Sequence, residues 1–182
     1  MQSCLQDELL LAYHDRSDGG LLATLAEMCF AGRCGASVNL AAVGTDPHAV
    51  LFNEELGAVV QVASGDITEV VQRFENAGLA ELVSELGVVT ADEQLVITHG
   101  ENVLYQNSRG TLQQLWSKTS YHVQNMRDNP VCADQEFAQI TEANPGLSAE
   151  LSYDVKADIT APYISKGVKP KVAILREQGV NS

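Results

Sequence analysis

The first half of the chain alternates between segments of helical and of extended periodicity. Apolar residues recur at helical spacing from Leu21 to about Phe30 and again over 67–76, where Asp66 is the predicted helix cap. Residues 5–13 are predicted to be the end of a helix followed by an extended segment, 36–43 a strand, and Pro47 the start of a short helix. The near-continuous apolar run 58–62 predicts a strand covered on both faces.

The second half predicts a small sheet followed by a long helix. Three short strand-like runs, 82–89, 94–98 and 102–106, are separated by polar turns and predict an antiparallel meander. From Arg109 to about Arg127, apolar residues are spaced three and four apart, which predicts a helix anchored by Trp116, the only tryptophan. The succession of strands and helices predicts a fold of the α/β class, layered as in α+β proteins.

The pattern changes after Pro130. Residues 131–169 are polar and acidic and lack sustained periodicity, so they are predicted to form a largely extended connector with one helix around 134–142. The run 172–175 is apolar and is followed by a glycine turn. A buried-type strand at this position predicts the first unit of another domain.

Charge and cysteine content narrow the classes of function. The net charge is -13, from 24 acidic and 11 basic residues, which argues against a nucleic-acid footprint. The four cysteines have no zinc-type spacing and are predicted to be reduced thiols of a cytoplasmic protein, although a Cys29–Cys34 disulfide is an alternative. No basic leader and no apolar run of about 20 residues is present, so no membrane association is expected.

The polar turn 14–20, His-Asp-Arg-Ser-Asp-Gly-Gly, carries the candidate chemistry. Ser17 or Asp18 could cap the helix that follows, whose free N–H groups attract anions such as phosphate. Carboxylates at Asp15 and Asp18 would repel a phosphate unless a hard cation such as Mg²⁺ lies between them. The residue types therefore suggest a metal–nucleotide site, and an ordinary capped loop is the alternative.

Four stretches in this order resemble one family. They are Tyr13–Leu21, Leu51–Gly57 (Leu-Phe-Asn-Glu-Glu-Leu-Gly), Asn125 with Arg127–Pro130, and Pro170–Ser182. With them the whole chain resembles the large, single-chain phosphoribosylformylglycinamidine synthases, glutamine-dependent amidotransferases of purine biosynthesis. In that family ATP and Mg²⁺ are used to phosphorylate the amide oxygen of formylglycinamide ribonucleotide, and ammonia from glutamine displaces the phosphate to give the amidine.

The resemblance implies a division into three parts. Residues 1–128 would be the last synthetase-type domain, an α/β domain shared with aminoimidazole ribonucleotide synthetase-like proteins. Residues 129–169 would be the linker, and 170–182 the truncated start of the glutaminase domain. The expected partners are the remaining synthetase and glutaminase domains of the parent enzyme, and this chain by itself is not expected to catalyse the reaction.

The resemblance also implies roles within the turn. Asp15 would be a Mg²⁺ ligand and Ser17 would contact bound ATP or ADP, which in the large form could occupy a structural rather than a reacting site. Asp18, Gly19 and Gly20 would complete the nucleotide-binding loop and cap its helix. No catalytic residue is assigned, because the glutaminase nucleophile would follow Ser182.

The sequence allows more than one role for several other side chains and more than one function for the chain. Glu54 could approach the same site or lie in a solvated turn, and Arg16 and Arg109 could contact phosphate or form surface ion pairs. His122 is predicted to be a partly exposed helix residue. A non-catalytic interaction module that docks onto synthetase or glutaminase partners is the alternative function, and a fragment without an independent role is the third.

Overall fold

The computed structural model describes residues 1–143, 147–164, 167, 169 and 171–175. The chain divides into two units, Met1–Asn144 and Pro145–Ser182. The helices of the first unit are α1 (Gln2–Gln6), α2 (Gly20–Gly32), α3 (Pro47–Phe52), α4 (Ile67–Asn76), α5 (Arg109–Arg127) and α6 (Pro130–Gln139). Its strands are β1 (Leu10–Arg16), β2 (Gly35–Asn39), β3 (Gly57–Val62), β4 (Gly87–Thr90), β5 (Gln94–His99) and β6 (Asn102–Ser108).

The larger sheet has the order β4-β2-β5-β6. The predicted meander is therefore only partly correct: β5 and β6 form the antiparallel hairpin, whereas β2 lies between β4 and β5, antiparallel to the first and parallel to the second. Two glycines permit this insertion. A Cβ at Gly35 would lie 2.4 Å from the Gln94 carbonyl oxygen, and one at Gly87 would lie 1.9 Å from that of Ser37.

The core lies between this sheet and α2. Leu21, Leu25 and Cys29 are buried on one face of α2, as the helical spacing predicts, and they belong to one cluster with Leu95 and Ile97 of β5. The helix therefore has a fixed inner face. Its N-terminus, which carries the candidate loop, is held in place by that packing.

Strand β2 is shorter than the predicted 36–43. It ends at Asn39, and 40–42 form a 3₁₀ turn. The Asn39 carboxamide oxygen accepts from the Ala41 N–H at 3.0 Å and from the Gly100 N–H at 3.1 Å. This side chain replaces the strand ladder with a turn, which explains the early end.

Strands β1 and β3 form a separate two-stranded antiparallel sheet. The prediction that β3 is covered on both faces is wrong for the described part of the chain, because Gly57 and Ala58 are exposed and 59–62 are only half-buried. Near-continuous apolar composition here accompanies a sheet of two strands. Composition alone does not distinguish that arrangement from a central strand.

Helices α3 and α4 lie where the sequence places them, but only α3 has the expected type of cap. Asp46 accepts from the backbone N–H of His48 at 3.0 Å at the start of α3. Asp66 stands at the N-cap of α4 without a side-chain hydrogen bond. Arg73 of α4 instead forms an ion pair with Asp7 at 2.7 Å, which ties this helix to the segment after α1.

Helix α5 has the predicted length but not the predicted buried stripe. Trp116 is 63% exposed and Met126 is 81% exposed. The opposite side of α5 packs on α6, where the ring of Tyr121 stacks on Phe137 with centroids 4.3 Å apart. The connector helix also begins earlier than predicted, because the Asn129 side chain caps Pro130–Gln139.

The second unit is largely exposed where it is described. Residues 147–164 contain turns, and 171–175 have no regular structure, so the predicted strand at 172–175 is not formed there. A strand requires a partner strand to satisfy its backbone groups. Residues 176–182 of the predicted glutaminase start lie outside the described residues, and the three-part division at 128 and 169 stays a prediction.

None of the helices in the described residues has the length and apolar character needed to cross a membrane. All four cysteines are free thiols, as predicted, and the alternative Cys29–Cys34 disulfide is not formed. Burial raises the pKa of Cys29 to about 11, and the nearby Cys34 adds to the effect. The Cys29 thiol is therefore held in its neutral form.

We expect the Cys29 thiol to resist a disulfide reagent at about pH 8 while the exposed Cys132 reacts, because the thiolate is the nucleophile. Peptide mass mapping of the labelled protein measures this order. Since the folded-state pKa is raised, this contribution to stability is present at lower pH and is lost as the pH rises toward about 11. Equal labelling of Cys29 and Cys132 in the folded protein would contradict the expectation.

Candidate functional site

The candidate loop joins the end of β1 to the start of α2. Residues 17–19 form the turn, which is closed by a hydrogen bond of 2.9 Å from the Gly20 N–H to the Ser17 carbonyl oxygen. Gly19 and Gly20 have φ values of +83° and +67°. This left-handed backbone favours glycine at both positions.

A second loop, 53–56, contacts the first. The Gly19 N–H donates to a Glu54 carboxylate oxygen at 2.9 Å, and the Arg16 Nε donates to the Asn53 carbonyl oxygen at 2.9 Å. Arg16 also approaches the Glu55 carboxylate at 3.4 Å. Glu54 therefore approaches the candidate site, which is the first of its two alternatives. Of the two alternatives for Arg16, a phosphate contact or an ion pair, the structure shows the ion pair.

The close contact between these loops depends on Gly20. A Cβ at this position would lie 2.6 Å from the Leu51 carbonyl oxygen and 2.9 Å from the backbone of Phe52. Backbone atoms cannot rotate away as a flexible side chain can. The two stretches that the sequence singles out, Tyr13–Leu21 and Leu51–Gly57, are therefore brought together in space.

The predicted capping by Ser17 or Asp18 is wrong. The N-cap residue of α2 is Gly19, which has no side chain. Neither Ser17 nor Asp18 forms a side-chain cap hydrogen bond to this helix. The carboxylate of Glu54, 35 positions away along the chain, accepts from the Gly19 N–H instead. A negative charge at this helix end is favourable for the same reason that a phosphate would be.

Asp15 lies on the exposed side of β1, next to the turn. Its carboxylate accepts a hydrogen bond from the Tyr13 hydroxyl, and this contact raises the pKa of Tyr13. The main-chain carbonyl oxygen of Asp15 faces the Nδ1 of His14 at 2.7 Å and the Thr24 hydroxyl at 3.4 Å. These two contacts fix the main chain at Asp15, and the Asp15 carboxylate remains accessible.

A second set of contacts extends from this loop to α5. The Nε2 of His14 lies 2.9 Å from one oxygen of the Glu27 carboxylate, and the indole N–H of Trp116 donates to the other oxygen at 3.1 Å. The ring of Trp116 also lies 5.9 Å from that of Phe30, centroid to centroid. Glu27 was not singled out from the sequence, where a carboxylate on a helix gives no signal of such partners.

The described side chains near the turn fit a magnesium site that ligands from elsewhere complete better than a site formed by this chain alone. No group of three or more His, Cys, Asp or Glu side chains within the described residues could hold a metal ion by itself. Asp15, Ser17 and Asp18 are all exposed and lie within four positions of one another in the chain. Mg²⁺ typically uses one or two carboxylates and completes its octahedron with water and substrate phosphates, which is compatible with this arrangement.

Arg109 is a structural residue rather than a phosphate or surface residue. Its side chain is 1% exposed, and its guanidinium donates to Glu93 at 2.7 Å, to Gln113 at 2.6 Å and to the Ile140 carbonyl oxygen at 3.1 Å. Of the two sequence-based alternatives, the ion pair is the one formed, but the arginine is buried rather than on the surface. His122 is exposed on α5, as predicted, with its ring 5.0 Å from that of Tyr121.

Residues 1–100 match the family described as AIR synthase related protein, C-terminal domain. The chain belongs to this family. The matched segment contains β1, the turn, α2 and the second loop. The fold predicted for the first part of the chain is therefore confirmed.

Solved structures from Thermotoga maritima have the same fold. PurL complexed with FGAR matches with a TM-score of 0.53 and 17% identity, over 60% of this chain and 19% of that chain. PurL complexed with ATP matches with 0.52 and 18%, over 60% and 20%. PurLQS matches with 0.51 and 16%, over 59% and 19%. The chain thus spans about a fifth of the length of these structures.

Proposed function

We propose that this chain is part of an ATP- and glutamine-dependent carbon–nitrogen ligase that converts formylglycinamide ribonucleotide to formylglycinamidine ribonucleotide. Its contribution would be a Mg²⁺–nucleotide loop built from Asp15, Ser17, Asp18, Gly19 and Gly20. The observation that carries the proposal is the contact between this loop and the Glu54 loop within a domain of the AIR synthase-related family. The matched PurL structures with FGAR and ATP support the choice of substrate class.

The reaction needs activation because the oxygen of an amide is a poor leaving group. Transfer of the γ-phosphoryl group of ATP to that oxygen makes phosphate the leaving group, and ammonia then displaces it to form the amidine. Mg²⁺ would supply charge neutralisation on the nucleotide phosphates. Glutamine as the source of ammonia belongs to the proposal and requires a glutaminase domain beyond this chain.

The residues of the loop have separable roles in this proposal. The exposed carboxylate of Asp15 would hold the cation, while Ser17 and Asp18 would contact the nucleotide from the turn. The Gly19 N–H already donates to Glu54, so a phosphate oxygen could take that donor only by displacing the carboxylate. A site with one wall from this chain and others from the remaining synthetase domains accounts for the small donor set. The isolated chain is expected to be inactive.

In the full enzyme, Asp15→Asn is expected to weaken the retention of Mg-ADP, because the substitution removes the charge that the cation needs and preserves the size of the side chain. The thermal midpoint of the protein, with and without saturating Mg-ADP, measures the effect, since a ligand that binds only the folded form raises the midpoint. The exposed Glu101 provides the matched control Glu101→Gln. An unchanged ligand-induced shift in the Asp15 variant would contradict the assigned role.

One observation favours the alternative, a non-catalytic module that docks onto a synthetase or glutaminase partner. Leu56 of the Glu54 loop is fully exposed, and Phe52, which directly precedes that loop, is 53% exposed. The two functions differ in their requirement for nucleotide. A chain that shows no midpoint shift with Mg-ADP, yet forms a stable complex with a synthetase or glutaminase subunit by size exclusion, would favour docking.

A further inference from the structure

We propose that Glu27 is a positioning residue for the candidate metal loop and that its second contact couples the loop to helix α5 through Trp116. The inference rests on the proposed function, since it concerns the same loop. Glu27 lies outside the motifs singled out from the sequence, and its carboxylate contacts both His14 of β1 and Trp116 of α5.

The first step is the contact between Glu27 and His14. His14 directs its Nε2 toward the Glu27 carboxylate at 2.9 Å and its Nδ1 toward the Asp15 carbonyl oxygen at 2.7 Å. Both partners are acceptors, and the imidazole ring lies between them with one nitrogen facing each. Glu27 therefore fixes the orientation of the ring that in turn holds the backbone of Asp15.

The second step is the rigidity of the base on which Glu27 stands. The side chain projects from the middle of α2, whose Leu25 and Cys29 are buried in the core. The Thr24 hydroxyl, three residues before Glu27 on the same helix, also lies against the Asp15 carbonyl oxygen. A carboxylate on a packed helix is held more precisely than a carboxylate on a loop.

The third step is the link to α5. The other oxygen of Glu27 accepts from the indole N–H of Trp116, and the indole ring packs on Phe30 of the same helix α2. Trp116 is otherwise 63% exposed, so this hydrogen bond and ring contact define its position. One carboxylate thus has two partners, His14 on β1 and Trp116 on α5, and a shift of either element changes the contact with the other.

Hydrogen exchange of the chain without ligand tests the first part of the proposal. In Glu27→Ala, amide exchange over 15–20 is expected to rise about tenfold or more, as loss of a hydrogen bond to a charged group implies. Glu136→Ala is the matched control, because Glu136 bonds to Gln124 of α5 at 2.8 Å and does not touch His14. Equal exchange over 15–20 in both variants would overturn the positioning role.

A conservative variant separates positioning from general structural loss. Glu27→Gln keeps an acceptor for the indole and offers an amide N–H to the ring, so it is expected to restore exchange over 15–20 to within about threefold of the unaltered chain. The single tryptophan adds a local signal. The emission of Trp116 should change in Glu27→Ala and remain close to the original in Glu136→Ala and Glu27→Gln.

Addition of Mg-ADP distinguishes the failure of this inference from the failure of the proposed function. If the unaltered chain binds and Glu27→Ala raises the dissociation constant about tenfold, as removal of an outer contact to a metal ligand typically does, both are supported. If both proteins bind equally, the positioning role is overturned and the proposed function stands. If the unaltered chain does not bind, the self-sufficient form of the loop fails, while the exchange over 15–20 still decides whether Glu27 holds it.

Discussion

Gly20→Ala is expected to lower the free energy of unfolding by about 2–4 kcal/mol and to separate the two loops of the candidate site. The φ of +67° costs an alanine about 1 kcal/mol or more. The new Cβ would also lie 2.6 Å from the Leu51 carbonyl oxygen, a contact with backbone that only a movement of the loop can relieve. Urea unfolding followed by far-ultraviolet circular dichroism measures the loss.

Gly78→Ala is the matched control for backbone strain. Gly78 has a similar φ of +74°, but a Cβ there meets no atom within 4 Å. Its substitution is therefore expected to cost only about 1 kcal/mol. An equal loss in both variants would mean that the contact between Gly20 and the Leu51–Phe52 backbone does not matter for stability.

The same pair of variants tests the site. Displacement of the backbone at Leu51 and Phe52 would move Glu54 away from the Gly19 N–H, which it contacts at 2.9 Å. In the full enzyme, we expect Gly20→Ala to show no rise in its thermal midpoint with saturating Mg-ADP, although the variant is folded at lower temperature. Gly78→Ala, which lies just after the end of α4, should retain that shift.

The sequence predicts the local structure around the loop well because those signals are themselves local. The apolar spacing of α2, the glycine pair before it and Pro47 at the start of α3 each act within a few residues. The insertion of β2 between β4 and β5 could not be predicted in the same way. It depends on close backbone contacts at Gly35 and Gly87, whose partners lie more than 45 positions away in the chain.

The candidate site also depends on contacts between residues that lie far apart in the chain. Residue types alone point to Asp15 and to the glycine turn, but they also suggest Ser17 or Asp18 as the cap, whereas Glu54 occupies that position from 35 residues away. The contact between Trp116 and Glu27 spans 89 positions. Helical spacing makes Trp116 a core anchor, whereas in the structure its ring is 63% exposed and its partners are Glu27 and Phe30 of α2.

Arg109→Met is expected to lower the free energy of unfolding by about 3 kcal/mol. Arg109 is 1% exposed, and its guanidinium joins Glu93, Gln113 and the carbonyl oxygen of Ile140. Removing one partner of a buried ion pair leaves the others without their donor, which typically costs about 3–5 kcal/mol. The lower figure applies because the Glu93 side chain is 40% exposed and can be partly solvated.

Arg127→Met provides the control at the other end of the same helix. Arg127 is 72% exposed and pairs with Asp128 at 2.8 Å, so its loss is expected to cost less than about 0.5 kcal/mol. Urea unfolding of both variants compares the two ion pairs under one condition. Because Arg109 also bonds the backbone at the end of α6, its substitution should release residues 130–140 to faster amide exchange, and equal exchange in both variants would contradict this role.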